Sequence, residues 1–221
     1  MKLLLLFILT IAFQSAHARG YITPHAGVSY VQSVDEVLQI PLGNAGISSL
    51  VSCKGTFEPG CAIGCATGYQ CNHYRIEIDY THSRNELYRM VSELDPERDQ
   101  SYHFYSGFIE TDQLMLNGCY QLGICSPFTP YLGAGIGYVR LSTEQILGFT
   151  FFDGETVNEN VHCFGYNLKA GVDYCINERV RFNIFYSFTD LNQVNLKDLL
   201  GNSFAIYFRM HCLNAGLQLS Y

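Results

Sequence analysis

Nine cysteines, Cys53, Cys61, Cys65, Cys71, Cys119, Cys125, Cys163, Cys175 and Cys212, are the most reactive side chains in this 221-residue chain. In an oxidising compartment an odd number leaves at least one thiol free or paired with another molecule, and spacing alone does not fix a connectivity. Cys119 and Cys125 flank a short connection and suit a local disulfide, while the plainer use is as small apolar side chains. Cys61, Cys65 and Cys71 share one face if their segment is extended. Four strand residues span about 13 Å, too far for two thiolates to share one metal, so a zinc site there requires a loop.

His82-Ser83, followed by Glu86, is the nearest approach to a catalytic pair. Neighbouring residues on a strand point to opposite faces, however, and do not readily share a proton. The other histidines, His25, His73, His103, His162 and His211, carry no metalloprotease spacing, and no phosphate loop or dinucleotide fingerprint occurs, so no metal or cofactor is expected. A formal charge of −7 argues against nucleic acid and anionic surfaces as primary partners. There remains a set of charges of both signs, Arg75, Glu77, Asp79, Lys169, Asp173 and Arg181, each inside an alternating run. Gathered on one enclosed face, they either neutralise one another in place of water or line a path for ions or protons.

The runs that must position these residues have period two. Phe164, Tyr166, Leu168, Ala170, Val172, Tyr174 and Ile176 alternate with Gly165, Asn167, Lys169, Gly171, Asp173 and Cys175. After a tight turn at Asn177-Glu178, Val180, Phe182, Ile184, Tyr186 and Phe188 continue the pattern and complete a hairpin. Tyr74, Ile76, Ile78 and Tyr80, and Leu114, Leu116, Gly118 and Tyr120, repeat it. A soluble sandwich also alternates, but its strands average ~5–6 residues and its polar face carries surface Lys and Glu. Here the polar face mixes Gly, Asn, Ser and Gln with few charges, and Tyr and Phe gather near the ends of the apolar face, as girdles at two membrane interfaces require. With 48% hydrophobic and 15% charged residues, disorder does not fit either.

Met1-Lys2, an apolar run from Leu3 to Phe13 and Ala16-His17-Ala18 read as a signal peptide over 1–18, too short in its apolar part to span a bilayer as a helix. For the mature chain, 19–221, we expect an all-β fold: a closed eight-stranded antiparallel transmembrane β-barrel. Its strands fall near 20–32, 60–71, 74–87, 106–121, 130–142, 161–176, 179–190 and 204–221. Segments 33–59, 88–105, 143–160 and 191–203 are then four long extracellular loops, and the connections 72–73, 122–129 and 177–178 are short periplasmic turns. The Gly-rich segment 60–71 also reads as a loop. An eight-stranded lumen is filled by side chains, which favours the self-neutralising network over an ion path, with Gly133, Gly135 and Gly137 making room for large partners such as Phe185.

Several segments resemble, in order, the opacity-protein-like surface antigens, a family of eight-stranded outer-membrane barrels with OmpA-like transmembrane architecture. They are Tyr74-Arg75-Ile76-Glu77-Ile78-Asp79-Tyr80, Leu114-Met115-Leu116-Asn117-Gly118-Cys119-Tyr120, and, most specific, Pro130-Tyr131-Leu132-Gly133-Ala134-Gly135-Ile136-Gly137-Tyr138. The chain ends in Leu217-Gln218-Leu219-Ser220-Tyr221, which is similar to the terminal strand read by the barrel-insertion machinery through Leu217, Leu219 and an aromatic last residue, here Tyr221. The resemblance implies a non-enzymatic surface protein in outer-membrane lipid, acting through its loops on host surface molecules or other envelope proteins as antigen, adhesin or envelope-stabilising element. A narrow ion or solute channel, and a rim enzyme acting on lipid or peptide through His82, are the alternatives.

Overall fold

The computed structural model describes residues 19–42, 47–93, 106–123, 127–146, 156–197 and 203–221. The expected signal peptide, residues 1–18, lies outside them, as does Cys125. Ten strands occur in chain order: β1 (Arg19–Val31), β2 (Val34–Leu42), β3 (Ile47–Phe57), β4 (Gly60–Cys71), β5 (Tyr74–Glu93), β6 (Ser106–Gln121), β7 (Phe128–Ile146), β8 (Thr156–Cys175), β9 (Val180–Lys197) and β10 (Ser203–Ser220). Eight of them close a ring in the order β1, β4, β5, β6, β7, β8, β9, β10, with β10 returning to β1 through pairs from Tyr21↔Ser220 to Val31↔Met210. Every neighbour is antiparallel, and the ring has no open edge. Closure is what hydrocarbon demands, because an unpaired backbone N–H or C=O there has no water to bond.

The Gly-rich segment 60–71 is a strand, paired residue for residue with β1 and β5. The tight turn after it places Asn72 at φ 52°, a left-handed position that Asn adopts more easily than most side chains. At the other tight turn the side-chain Oδ1 of Asn177 accepts the backbone N–H groups of Arg179 and Val180 at 2.9 and 2.8 Å, which fixes the reversal locally.

The segment expected as the loop 33–59 instead holds β2 and β3, a hairpin whose second strand pairs with β5 from Ser52↔Glu93 to Phe57↔Leu87. Val34, Val37, Ile40, Ile47 and Val51 are strong strand formers, and β5 continues past the membrane with a free edge for them to join. β7, β8 and β9 likewise outrun their expected ends. A strand of 20 residues such as β5 rises roughly 50 Å along a tilted barrel, about twice a ~25 Å apolar band, so the wall stands well clear of the bilayer.

Within the band the outer face is apolar: on β8, Phe164, Leu168 and Tyr174 are 79, 49 and 41% exposed. Above it the two faces exchange character. On β7, Tyr138 faces out, and the next residues place Val139 and Leu141 inward, both fully buried, with Arg140 outward. On β6, Leu114 and Leu116 face out lower down, whereas Asp112 and Glu110 do so higher up and Ile109 turns inward. A bulge sustains the exchange on β9, where Leu191 and Asn192 oppose the single residue Phe208 of β10. Asn192 takes φ 56°, and its N–H is held by Asp190 Oδ1 at 2.7 Å. The switch marks where lipid gives way to water.

Leu168→Arg, at the middle of the apolar band, is expected to cost ~2–4 kcal/mol of unfolding free energy in lipid vesicles. Arg140→Leu, above the band, is expected to change stability far less; urea titration followed by the mobility of unheated protein on gels measures both.

Candidate functional site: lumen and outer wall

The enclosed space has two levels. In the lower one, β5 supplies Arg75, Glu77 and Asp79 on its inward face and β8 supplies Lys169 and Asp173, all buried. Lys169 Nζ reaches Glu77 Oε1 at 2.6 Å and Asp79 Oδ2 at 2.9 Å, tying strands on different sides of the barrel. Arg75 lies 3.4 Å from Glu77 Oε2 and 3.3 Å from Asp173 Oδ2. Arg181 is half-buried at the periplasmic end and donates to Gln70 Oε1 at 3.0 Å rather than to an acid. Three cations, Arg75, Lys169 and Arg181, thus stand against three anions, Glu77, Asp79 and Asp173. Desolvating them singly would be costly, and the close pairing offsets that cost.

Residues that the charge pattern did not single out complete the network. Tyr21 donates to Glu77 Oε2 at 2.7 Å, His25 Nε2 lies 3.0 Å from Asp79 Oδ1, and Gln121 donates to Asp173 Oδ2 at 3.0 Å. Asn183 also donates to Asp173. The Arg75 guanidinium lies 4.0 Å from the Tyr131 ring centre, and Lys169 Nζ the same distance from that of Phe185, so both cations gain an aromatic face. The space left among Thr23, His25, Arg75, Glu77, Tyr131 and Lys169 has room for about one water molecule. Tyr21 and His25 carry no charge pattern of their own: β1 turns Ile22, Pro24, Ala26, Val28 and Tyr30 outward, and its inward face mixes Tyr21, Thr23, His25, Ser29 and Val31 without an Asp, Glu, Lys or Arg to mark a network.

The glycines of β7 serve packing, with different partners from those expected. A Cβ at Gly133 would meet Cys119, one at Gly135 would meet Asn117, and it is Gly171 on β8 that makes room for Phe185. Cys119 is buried with Tyr131 and Phe185, while its proposed partner Cys125 falls outside the described residues. Cys61 and Cys65 face outward on β4, which is a strand and not the loop a zinc site needs.

The upper level is an apolar plug in which Ile109, Val139, Leu141, Val194, Ile206 and Phe208 pack as one cluster. A hydrated ion moving through the barrel would have to cross both this plug and the paired charges beneath it.

Outside, a polar collar surrounds the wall just above the apolar band. His82 Nδ1 lies 2.9 Å from Asp112 Oδ1, Arg84 Nη1 3.2 Å from Glu110 Oε1, and Arg209 Nε 3.0 Å from Asp190 Oδ2. Ser83 points inward to Thr111 at 2.7 Å, so His82 and Ser83 lie on opposite sides of the wall. Among the described residues, His82 has no hydroxyl or thiol nucleophile bonded to it. At the chain end, Leu217 and Leu219 face outward, and Tyr221 donates its backbone N–H to Gly20 O at 2.9 Å beside the start of β1.

A closed antiparallel barrel with an apolar belt and a filled lumen defines a β-barrel protein of the bacterial outer membrane. Residues 54–191, more than half of the chain, match the family described as surface antigen, and the chain belongs to that family. It is 26% identical over 198 residues to the outer membrane protein PagN of Salmonella typhimurium, covering 84% of this chain and 80% of that one. Among solved structures it resembles Neisserial surface protein A, with a TM-score of 0.56 at 18% identity over 91% of this chain and 97% of that one. It also resembles OprG of Pseudomonas aeruginosa, with a TM-score of 0.59 at 14% identity over 94 and 98% of the two chains.

Lys169→Met is expected to lower stability by ~3–5 kcal/mol, because it removes the ammonium that two buried carboxylates share, leaving Glu77 to Arg75 and Tyr21, and Asp79 to His25. Combining it with Glu77→Gln and Asp79→Asn should recover much of the loss. Urea unfolding in vesicles measures both effects.

Proposed function

We propose that the protein is a non-enzymatic surface antigen that works from the part of its wall standing beyond the membrane. There it engages host surface molecules or other envelope proteins as an adhesin or envelope-stabilising element. The observation that carries this reading is the combination of a lumen filled at both levels with a wall that continues into the medium, where the β2–β3 hairpin carries the line of β1 and β4 upward beside β5. A filled lumen speaks against a channel for ions or solutes. That no hydroxyl or thiol among the described residues bonds His82 speaks against a rim hydrolase of the serine or cysteine type. The family description, surface antigen, supports the same assignment.

Two further parts of the reading concern how the chain reaches its place. Residues 1–18 act as a cleaved signal peptide, and Leu217, Leu219 and Tyr221, at the end of the strand that closes the ring, form the signal read by the barrel-insertion machinery.

The test replaces 34–57 by a short Gly-Ser link in cells that display the protein, with unheated gel mobility confirming that the barrel still folds. Adhesion to host cells is expected to fall about tenfold, the effect of losing ~1.4 kcal/mol of binding. Unchanged adhesion would remove the hairpin from the binding surface. In planar bilayers the wild-type barrel is expected to stay silent across repeated insertions, and stepwise conductance would revive the channel reading.

A further inference from the structure

The collar contains a patch that surface display leaves unused. Register sets His82 opposite Asp112, Asp112 opposite Arg140, and Arg140 opposite His162, so the four stand in one row across β5, β6, β7 and β8. At ~4.8 Å between strands the row runs about 14 Å around the barrel. The row on its membrane side is Tyr80, Leu114, Tyr138 and Phe164, the upper margin of the apolar band. The row on its outer side is Arg84, Glu110, Ser142 and Asn160. The middle row therefore lies at the level of the lipid headgroups.

Its charges are unevenly matched. Asp112 Oδ1 is taken up by the Tyr80 hydroxyl at 2.8 Å and by His82 Nδ1 at 2.9 Å, and Glu110 is taken up by Arg84. Among the described residues Arg140 Nη2 donates to the neutral amide Oδ1 of Asn160, at 3.1 Å, an oxygen that already accepts from Ser142 at 2.9 Å. No carboxylate among the described residues lies within ion-pair distance of Arg140, whereas Arg209 in the same collar has Asp190. Beside it, His162 stacks on Tyr138 with ring centres 5.6 Å apart and uses Nδ1 on the Tyr138 hydroxyl at 2.5 Å; its Nε2 bonds to none of the described residues. Arg140 is thus an exposed cation with no direct ion pair: Asp112, opposite it in register, feels its charge but spends its Oδ1 on Tyr80 and His82.

We propose that Arg140, with His162 and Asn160, binds the phosphate group of an outer-leaflet lipid headgroup. A guanidinium offers paired donors that fit a phosphate, and it sheds water more readily than an ammonium group. Directly below, Phe164 is 79% exposed and meets Tyr138 edge-on at 5.9 Å, an apolar surface on which the same lipid's acyl chain lies. Donors above and rings below match a lipid rather than free phosphate. One lipid held here would fix the height and rotation of the wall at a defined point of its circumference.

The test uses the full mature barrel folded in detergent micelles and native mass spectrometry with phosphatidic acid, diacylglycerol and inorganic phosphate as probes. Phosphatidic acid should be retained about fivefold more by wild type than by Arg140→Gln, the ~1 kcal/mol that one cation contributes at an anionic lipid surface. Arg209→Gln should retain it like wild type. Each variant is checked for folding by its unheated gel mobility. Equal retention by wild type and Arg140→Gln, or equal losses in the two Arg variants, overturns the site. Equal retention of diacylglycerol, or displacement of the lipid by inorganic phosphate at millimolar concentration, overturns the lipid headgroup as the occupant.

Discussion

Each wall strand passes from hydrocarbon into water while its backbone pairing runs on unbroken, and most of the architecture follows from that passage. In hydrocarbon the outward face has to be apolar, and the interior is left as the place for polar side chains. In water the preference reverses: the outside becomes polar, and the inside packs as an ordinary apolar core. The exchange occurs at Tyr138/Val139 on β7, and the same inversion appears on β6, where Asp112 and Glu110 follow Leu114 outward. One closed sheet is therefore two proteins stacked end to end, inside-out below and conventional above.

This division explains how a barrel of eight strands is filled. The lower lumen is too narrow for water to solvate charges, so Lys169, Arg75 and their acids solvate one another, with Tyr131 and Phe185 supplying ring faces. The upper level has water around it, and its filling is mainly apolar, with the few buried polar groups, such as Ser29 with Asn85 and Ser83 with Thr111, hydrogen-bonded to one another. There Val139, Leu141 and Phe208 provide the same kind of packing that holds a soluble domain together. The two levels also divide the labour: the lower one lets the wall survive in lipid, and the upper one stiffens the portion that meets the surroundings.

Much of this was legible in the residues. Period-two runs such as Phe164 to Ile176 gave strand, face and lumen assignment together, because a bilayer forces every other residue to be apolar over a full crossing. The charges of Arg75, Glu77, Asp79, Lys169 and Asp173 could be placed inside for the same reason. What could not be read was the continuation of the strands beyond the membrane, since Val139-Arg140-Leu141 breaks the lipid pattern without breaking the ladder. The β2–β3 hairpin was hidden similarly: its pairing on β5 depends on an edge that exists only once β5 outruns the bilayer. Tyr21 and His25 were invisible as network members because their roles come from partners 56 and 54 residues away.

The link from Lys169 to Glu77 and Asp79 joins residues about 90 positions apart, carried by β8 and β5. No single hairpin contains both ends of it: β6 and β7 stand between β5 and β8, about 14 Å of flat sheet, so these charges meet only when the sheet has curled towards a cylinder. Before that curvature Lys169 lacks its acids, while Glu77 keeps only its same-strand cation, Arg75. The Lys169 link is thus a proofreading contact for assembly: a flat or uncurled sheet does not receive its stabilisation, and a sheet curved as in the finished cylinder does.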